Sequence, residues 1–271
     1  MPRLSANGIN VNYRLEGSGE VVVLIHGFTA ELGMWEHQVE ALRKRYQVLA
    51  YDLRGHGDTD HPVHGHDMQT LSRDLEALLD RLDIKIAHLA GVSLGGMIAQ
   101  RFCLDHEQRT ATLSLMDTFA GRVSQNLQKR LFRHARLGKE KGIEALFEHL
   151  LEHPALPVGP DLEVSMETLE KRKQAFLKND PHTLEKFVHM LSRQEDWTGE
   201  LERIKKPVLL IVGDQDEPSL DHMRSMHRMM PGSEFYVIER CGHSCVTEKP
   251  EEVSSRLISF LERNPVSATS R

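Results

Sequence analysis

The chain has 271 residues, 39% of them from the set AVILMFWYC and 27% charged, with a formal net charge of −6. That is enough for one large domain, or for a core carrying a smaller inserted one, and too apolar for disorder to be the default. Mild acidity without a block of about five or six like charges argues against a nucleic-acid surface, and no run of about 18 uncharged apolar residues could span a membrane.

The first residues, Met1-Pro2-Arg3-Leu4-Ser5, pass into polar Asn7-Gly8 without the apolar stretch of a secretory signal, so the expected location is the cytoplasm. Three cysteines make no disulfide framework, which agrees with a reducing compartment. Sixteen histidines are the compositional oddity. Metal binding, proton transfer or a solvated surface would each account for them.

Asn7-Gly8 followed by apolar-polar alternation over residues 9–15 predicts a hairpin ending at Gly17-Ser18-Gly19. Residues 21–25, Val-Val-Val-Leu-Ile, form a continuous apolar run that fits a strand buried on both faces of a parallel sheet. Similar runs recur at 46–51, 87–92, 111–116, 208–212 and 234–238. Between them lie helix-like stretches at 34–45, 68–82, 94–106, 220–230 and 251–262. This alternation predicts a mostly parallel, doubly wound α/β sheet.

One interval breaks the pattern. Residues 120–200 contain no strand-like run, only helical stretches at 123–137, 142–151, 162–177 and 183–191, punctuated by Pro154, Pro157, Pro160 and Pro181. The expected organisation is a core of residues 1–119 and 201–271 with an inserted helical cap, 120–200. Residues 264–271 read as a frayed polar tail.

Gly91-Val92-Ser93-Leu94-Gly95 follows the 87–92 strand and opens the next helix. The pentapeptide alone would arise by chance in about one chain in ten of this length, so its position is what matters. A sharp strand-to-helix turn crowds the residues two before and two after the serine. Glycine there relieves the clash and lifts the hydroxyl clear.

Such a serine needs a base, and the base needs an acid to fix its tautomer. After the helical interval, the 208–212 strand ends in Gly213-Asp214-Gln215-Asp216, and the 234–238 strand leads to Gly242-His243. Both loops lie past the carboxyl ends of strands, where open α/β sheets build their sites. Oxyanion donors are expected from the backbone amides of Leu94, which follows the serine, and of Phe28 in His26-Gly27-Phe28.

Together with Asp52-Leu53-Arg54-Gly55-His56-Gly57-Asp58-Thr59, these motifs stand in an order that resembles the α/β-hydrolase family over nearly the whole chain. Within it, the Gly95-Gly96-Met97-Ile98 stretch is similar to the bacterial enol-lactonase and esterase group. The resemblance implies Ser93 as nucleophile, His243 as base and Asp216 as acid, with Asp214 and Asp117 as the alternatives for the acid. It also implies an α/β-hydrolase fold, a small ester or lactone as substrate and no cofactor. No nucleic-acid or membrane partner is expected, and the chain would act as a monomer or homo-oligomer.

A rival enzyme reading is carbon-carbon bond hydrolysis of a vinylogous diketone. The relatives that do this tend to carry tryptophan straight after the histidine, where this chain has Ser244. Dehalogenase and epoxide-hydrolase readings need aspartate in place of Ser93. A rival of another class is a slow-turnover ligand sensor.

His56, His61, His64 and His66 cluster with Asp58, Asp60 and Asp67, but their irregular spacing sets no ligand geometry. His56 is read as part of a structural turn, and the rest as a solvated loop near the pocket mouth. Cys241, His243 and Cys245 alternate as a ligand set might, yet the base role of His243 competes, so no metal is expected. Trp35, Trp197 and Cys103 are read as buried, and Met223, Met226, Met229 and Met230 as an amphipathic core face.

Overall fold

The hairpin expected at Asn7-Gly8 forms the antiparallel edge of an eight-stranded sheet, pairing β1 (Arg3–Ala6) with β2 (Ile9–Gly17). The computed structural model describes residues 2–266; the polar tail from residue 267 onward lies outside the described residues. The remaining strands are β3 (Val21–Ile25), β4 (Gln47–Tyr51), β5 (Ala87–Val92), β6 (Thr110–Met116), β7 (Val208–Gly213) and β8 (Glu234–Ile238). Their spatial order is β1-β2-β4-β3-β5-β6-β7-β8. From β4 onward every neighbouring pair is parallel.

Helices cover both faces, as a parallel sheet requires. On one face α1 (Glu36–Leu42), α9 (Cys245–Glu248) and α10 (Pro250–Arg263) bury Val39, Leu42, Val246, Leu257 and Phe260. On the other lie α2 (Met68–Arg81), α3 (Leu94–Asp105) and α8 (Glu217–Met229), with Leu75, Leu78, Ile98, Met223 and Met226 in the core. The methionine-rich stretch is thus a core face, and Trp35, Trp197 and Cys103 are buried as expected.

Four helices lie between β6 and β7: α4 (Gln125–Lys141), α5 (Ile143–Glu152), α6 (Met166–Phe176) and α7 (Pro181–Arg193). Leu146, Phe147, Phe176 and Leu184 give them a small core of their own. Local capping sets the starts of α4, α6 and α7. The side chains of Ser124, Ser165 and Asp180 accept the amides of Leu127, Thr168 and Thr183, each satisfying one orphan donor of a first turn.

Some boundaries differ from expectation. The Ser165 cap delays α6 to Met166, where periodicity alone suggests a start at 162. α8 starts at Glu217 instead of 220, because Pro218 presets the first helical turn. The 34–45 stretch divides into a 3-10 turn, Leu32–Trp35, and α1. The four-residue α9 is too short for any period to reveal.

Candidate functional site

The carboxyl ends of the parallel strands share one edge of the sheet, and β3, β5, β6, β7 and β8 send loops from it. Those loops carry Phe28, Ser93, Asp117, Asp216 and His243. Ser93 sits between β5 and α3 with φ 54° and ψ −119°, a left-handed conformation that costs a β-carbon-bearing residue energy. Surrounding bonds hold it there: its amide donates to the Met116 carbonyl at 2.9 Å, and its carbonyl accepts the Thr118 hydroxyl at 2.6 Å.

The turn admits no side chains beside Ser93. A β-carbon on Gly91 would stand 2.6 Å from the Gly96 nitrogen, and one on Gly95 would overlap the Ile25 carbonyl. Gly91 is therefore required by the approach of β5 to the start of α3, and Gly95 by the packing of β3 against α3. The same closeness puts Gly27 beside Ser93, so the loop after β3 meets the elbow. Leu94 opens α3, and its amide has no carbonyl acceptor in its own helix. The positive end of the helix dipole points the same way.

His243 Nε2 lies 2.9 Å from Ser93 Oγ, and its Nδ1 lies 2.8 Å from Asp216 Oδ2. A carboxylate only accepts, so Nδ1–H donates to Asp216 and leaves Nε2 free to accept the serine proton. Asp216 is the N-cap residue of α8 yet makes no side-chain cap bond, which leaves its carboxylate turned to the imidazole. Ser219 Oγ is also within 3.2 Å of Nδ1. The ring of Phe119 stacks on that of His243 at 6.2 Å.

Burial pulls the pKa of His243 down, but the hydrogen bond and charge of Asp216, with Asp117 and Glu248 behind, outweigh it and leave it raised. The two alternative acids are engaged elsewhere. Asp117 accepts the amides of Gly213 at 3.0 Å and Cys245 at 2.9 Å, and burial pushes its carboxyl up to about 7. Asp214 accepts the amide of Cys241 at 3.1 Å. Of the three carboxylates, Asp216 is the one bonded to the imidazole.

The histidines outside this group divide by environment. His26 is fully buried: its Nε2 accepts the Leu53 amide at 2.9 Å and its Nδ1 donates to the Gly27 carbonyl at 2.7 Å. His56 is likewise buried and packs edge-on against Phe187 of α7 at 4.8 Å. The expected solvated loop needs correction at His66, which meets the same phenyl ring at 5.1 Å and whose Nε2 is shielded from solvent. Loop spacing carries no sign of this contact, because Phe187 lies far along the chain. Among the described residues no group of three or more His, Cys, Asp or Glu side chains could hold a metal ion. Cys241, His243 and Cys245 do not gather into one, since Cys245 already begins α9.

Sequence patterns also missed the residues that fasten the site. Gln100 on α3 donates to the Phe119 carbonyl at 2.9 Å and accepts the Trp197 indole N–H at 3.1 Å, joining the two ends of the helical insertion. A single glutamine in a helix carries no signal for such a bridge.

A serine, an imidazole and a carboxylate in line beside a helix N-terminus make a nucleophile with its base, the equipment of a hydrolase. Residues 20–250 match the family described as the alpha/beta hydrolase fold. The chain belongs to the α/β-hydrolase family and is an enzyme of the hydrolase class. It is 30% identical to the 2-hydroxy-6-oxononadienedioate/2-hydroxy-6-oxononatrienedioate hydrolase of Paraburkholderia phymatum, over 93% of this chain and 91% of that one. Among solved structures, a thermophilic esterase from Thermogutta terrifontis superposes with a TM-score of 0.87 at 27% identity, covering 97% of this chain and 99% of that one. The enol-lactonase from Burkholderia xenovorans does so with 0.86 at 25% identity, covering 96% and 100%.

Proposed function

We propose that this hydrolase cleaves a small carboxylic ester or lactone through an acyl-enzyme on Ser93, without a cofactor. The observation that carries the reading is the hydrogen-bonded line from Ser93 Oγ through His243 to Asp216, at 2.9 Å and 2.8 Å. Ser93 Oγ attacks the acyl carbon while its proton passes to His243 Nε2. Asp216 holds the imidazolium, and the amides of Phe28 and Leu94 donate to the oxyanion. The imidazolium then protonates the departing alcohol oxygen. Water, deprotonated by the same nitrogen, attacks the acyl-enzyme and releases the acid and Ser93.

In this reading the 120–200 block is a cap that walls the acyl pocket above Phe28 and Phe119. Its solvated helices, together with the net charge of −6, fit a freely diffusing small-molecule enzyme of the cytoplasm. No helix among the described residues is long and apolar enough to cross a membrane. A second reading, hydrolysis of a carbon-carbon bond in a vinylogous diketone, draws support from the Paraburkholderia relative. Against it stands Ser244, following the histidine.

The test is S93A with p-nitrophenyl acetate and a panel of short esters, lactones and one vinylogous diketone. Multiple turnovers by wild type, cut by about a thousandfold or more in a folded S93A, are expected. A higher kcat/KM for the diketone than for every ester and lactone would replace the first reading with the second. A single covalent turnover would leave a ligand sensor instead.

A further inference from the structure

We infer that Glu248 is a positioning residue that fastens the helical insertion to the loop bearing His243, so that one carboxylate sets both the general base and the segment beside it. The inference rests on the hydrolase reading above and extends it to a residue outside the Ser93-His243-Asp216 line.

Glu248 closes α9, five positions after His243. Its Oε2 accepts the Gly242 amide at 2.8 Å and the Gly159 amide at 2.9 Å, and its Oε1 lies 3.4 Å from the Ser244 nitrogen. One oxygen thus grips the residue before the base and a residue of the insertion. The His243 amide itself donates to the Pro157 carbonyl at 2.9 Å. Gly242 and His243 are in this way both tied to the stretch 157–159, once through Glu248 and once directly.

The fit leaves no slack. A β-carbon on Gly242 would stand 2.7 Å from the Gly159 nitrogen and overlap the Pro157 carbonyl, and one on Gly159 would overlap the Glu248 carboxylate. Two glycines therefore let the backbones approach closely enough for a single carboxylate to bridge them. Outside the bridge, Arg240 pairs with Asp161 at 2.6 Å and 2.5 Å and Lys249 approaches it at 3.5 Å. With Arg240 63% and Asp161 40% exposed, that outer pair contributes little. Charge-assisted bonds from a shielded carboxylate to backbone amides are the stronger kind.

The bridge bears on chemistry because a base displaced by about 1 Å from its nucleophile loses much of its rate. It bears on charge as well. Asp216 faces His243 from the start of α8, Asp117 from the end of β6 and Glu248 from α9; Glu248 in turn lies in the field of Arg172 on α6, with Cys241, Cys245 and Lys249 near it. Removing the Glu248 charge takes away one of the groups that raise the pKa of His243.

The experiment compares wild type with E248A, E248Q and E248D. It reads phosphonylation of Ser93 by a fluorophosphonate across pH, kcat and KM on p-nitrophenyl acetate, and Tm. E248A is expected to label Ser93 at least about tenfold more slowly, with its acid limb at lower pH. E248Q, whose amide oxygen can still accept both glycine amides, is expected to recover most of the labelling rate while keeping the displaced acid limb. That pairing separates grip from charge.

A lowered Tm with wild-type labelling and pH profile in E248A would mean a structural role and overturn the inference. If E248A does not fold, E248D decides, since it keeps the charge but falls one methylene short of the bridge: slowed labelling supports the inference and wild-type labelling overturns it. D161A, which opens only the outer pair, is expected to label within about twofold of wild type. Labelling needs no ester, so a wild type that labels fast but turns esters over slowly counts against the ester reading alone, while the comparison of labelling among the Glu248 variants still decides this one.

Discussion

The Leu53 amide donates to Nε2 of His26 at 2.9 Å, which pins the loop after β3 to the loop after β4 and fixes His26 as the neutral tautomer. Burial depresses its pKa to about 4, and that of His56 to about 3, from the ordinary 6.5. The loop that carries Phe28, the proposed oxyanion donor, is therefore held by a buried histidine that is neutral near pH 7.

Stability should follow. Below pH 6.5 the unfolded chain protonates both imidazoles while the folded chain keeps them neutral, so stability present above 6.5 is lost as pH falls toward 4. Each contributes a slope of up to about 1.4 kcal/mol per pH unit. Asp117 works in the opposite sense. With its carboxyl near 7 when folded and 3.8 otherwise, acidification between those values favours the folded state and cancels about one histidine slope. Tm is expected to fall from pH 7 to pH 5, and more steeply in D117N; a Tm in D117N that stays level across this range would contradict the assignment.

The acid can be identified by contrast. D216N should lower kcat by about a thousandfold to ten-thousandfold, because an asparagine amide favours the wrong imidazole tautomer. D117N should cost less than about tenfold, and its acid limb should move to lower pH, since one negative neighbour of His243 is gone. Equal losses in the two variants would remove the distinction between them.

In the wild type, the acid limb of kcat/KM should lie above pH 6.5, because the folded pKa of His243 is raised and the proposed mechanism needs its neutral form to accept the serine proton. A rate profile measured from pH 5 to pH 9 with p-nitrophenyl acetate would show it. A limb below 6.5 would mean that burial, and not Asp216, dominates the imidazole.

The elbow should tolerate no side chain. G95A places a methyl on the Ile25 carbonyl and is expected to cost about 3 kcal/mol or to prevent folding. Gly199 has nothing within 4 Å of a built β-carbon, so G199A should stay within about 0.5 kcal/mol. Urea midpoints for the pair measure the difference.

Gln100 supplies a further check. Q100L leaves the Trp197 indole N–H and the Phe119 carbonyl without their partner, and should lower stability by about 1 to 3 kcal/mol. Because Phe119 stacks on His243, KM should change as well as the urea midpoint.

Much of the site was legible from local order. Glycines two before and two after Ser93, a carboxylate three after a strand-end glycine and a histidine after the last strand are consequences of short-range sterics and chain direction. A sequence displays such things directly. The apolar runs announced buried parallel strands for the same reason, since a strand covered on both faces has no polar side to alternate with. The ends of α6 and α8 were less legible, because a single serine cap and a single proline outweigh apolar periodicity.

By itself the sequence determined the fold class, the order of the chemical groups and the strand ends that carry them. The tertiary structure put the expected Asp216, and not Asp117 or Asp214, against His243, and it alone decided that His66 packs on Phe187 and that Glu248 and Gln100 fasten the helical insertion to the site. Those choices depend on which backbone amides and rings arrive from distant parts of the chain. A carboxylate with no amide nearby is left to the imidazole, and only packing settles where the amides are.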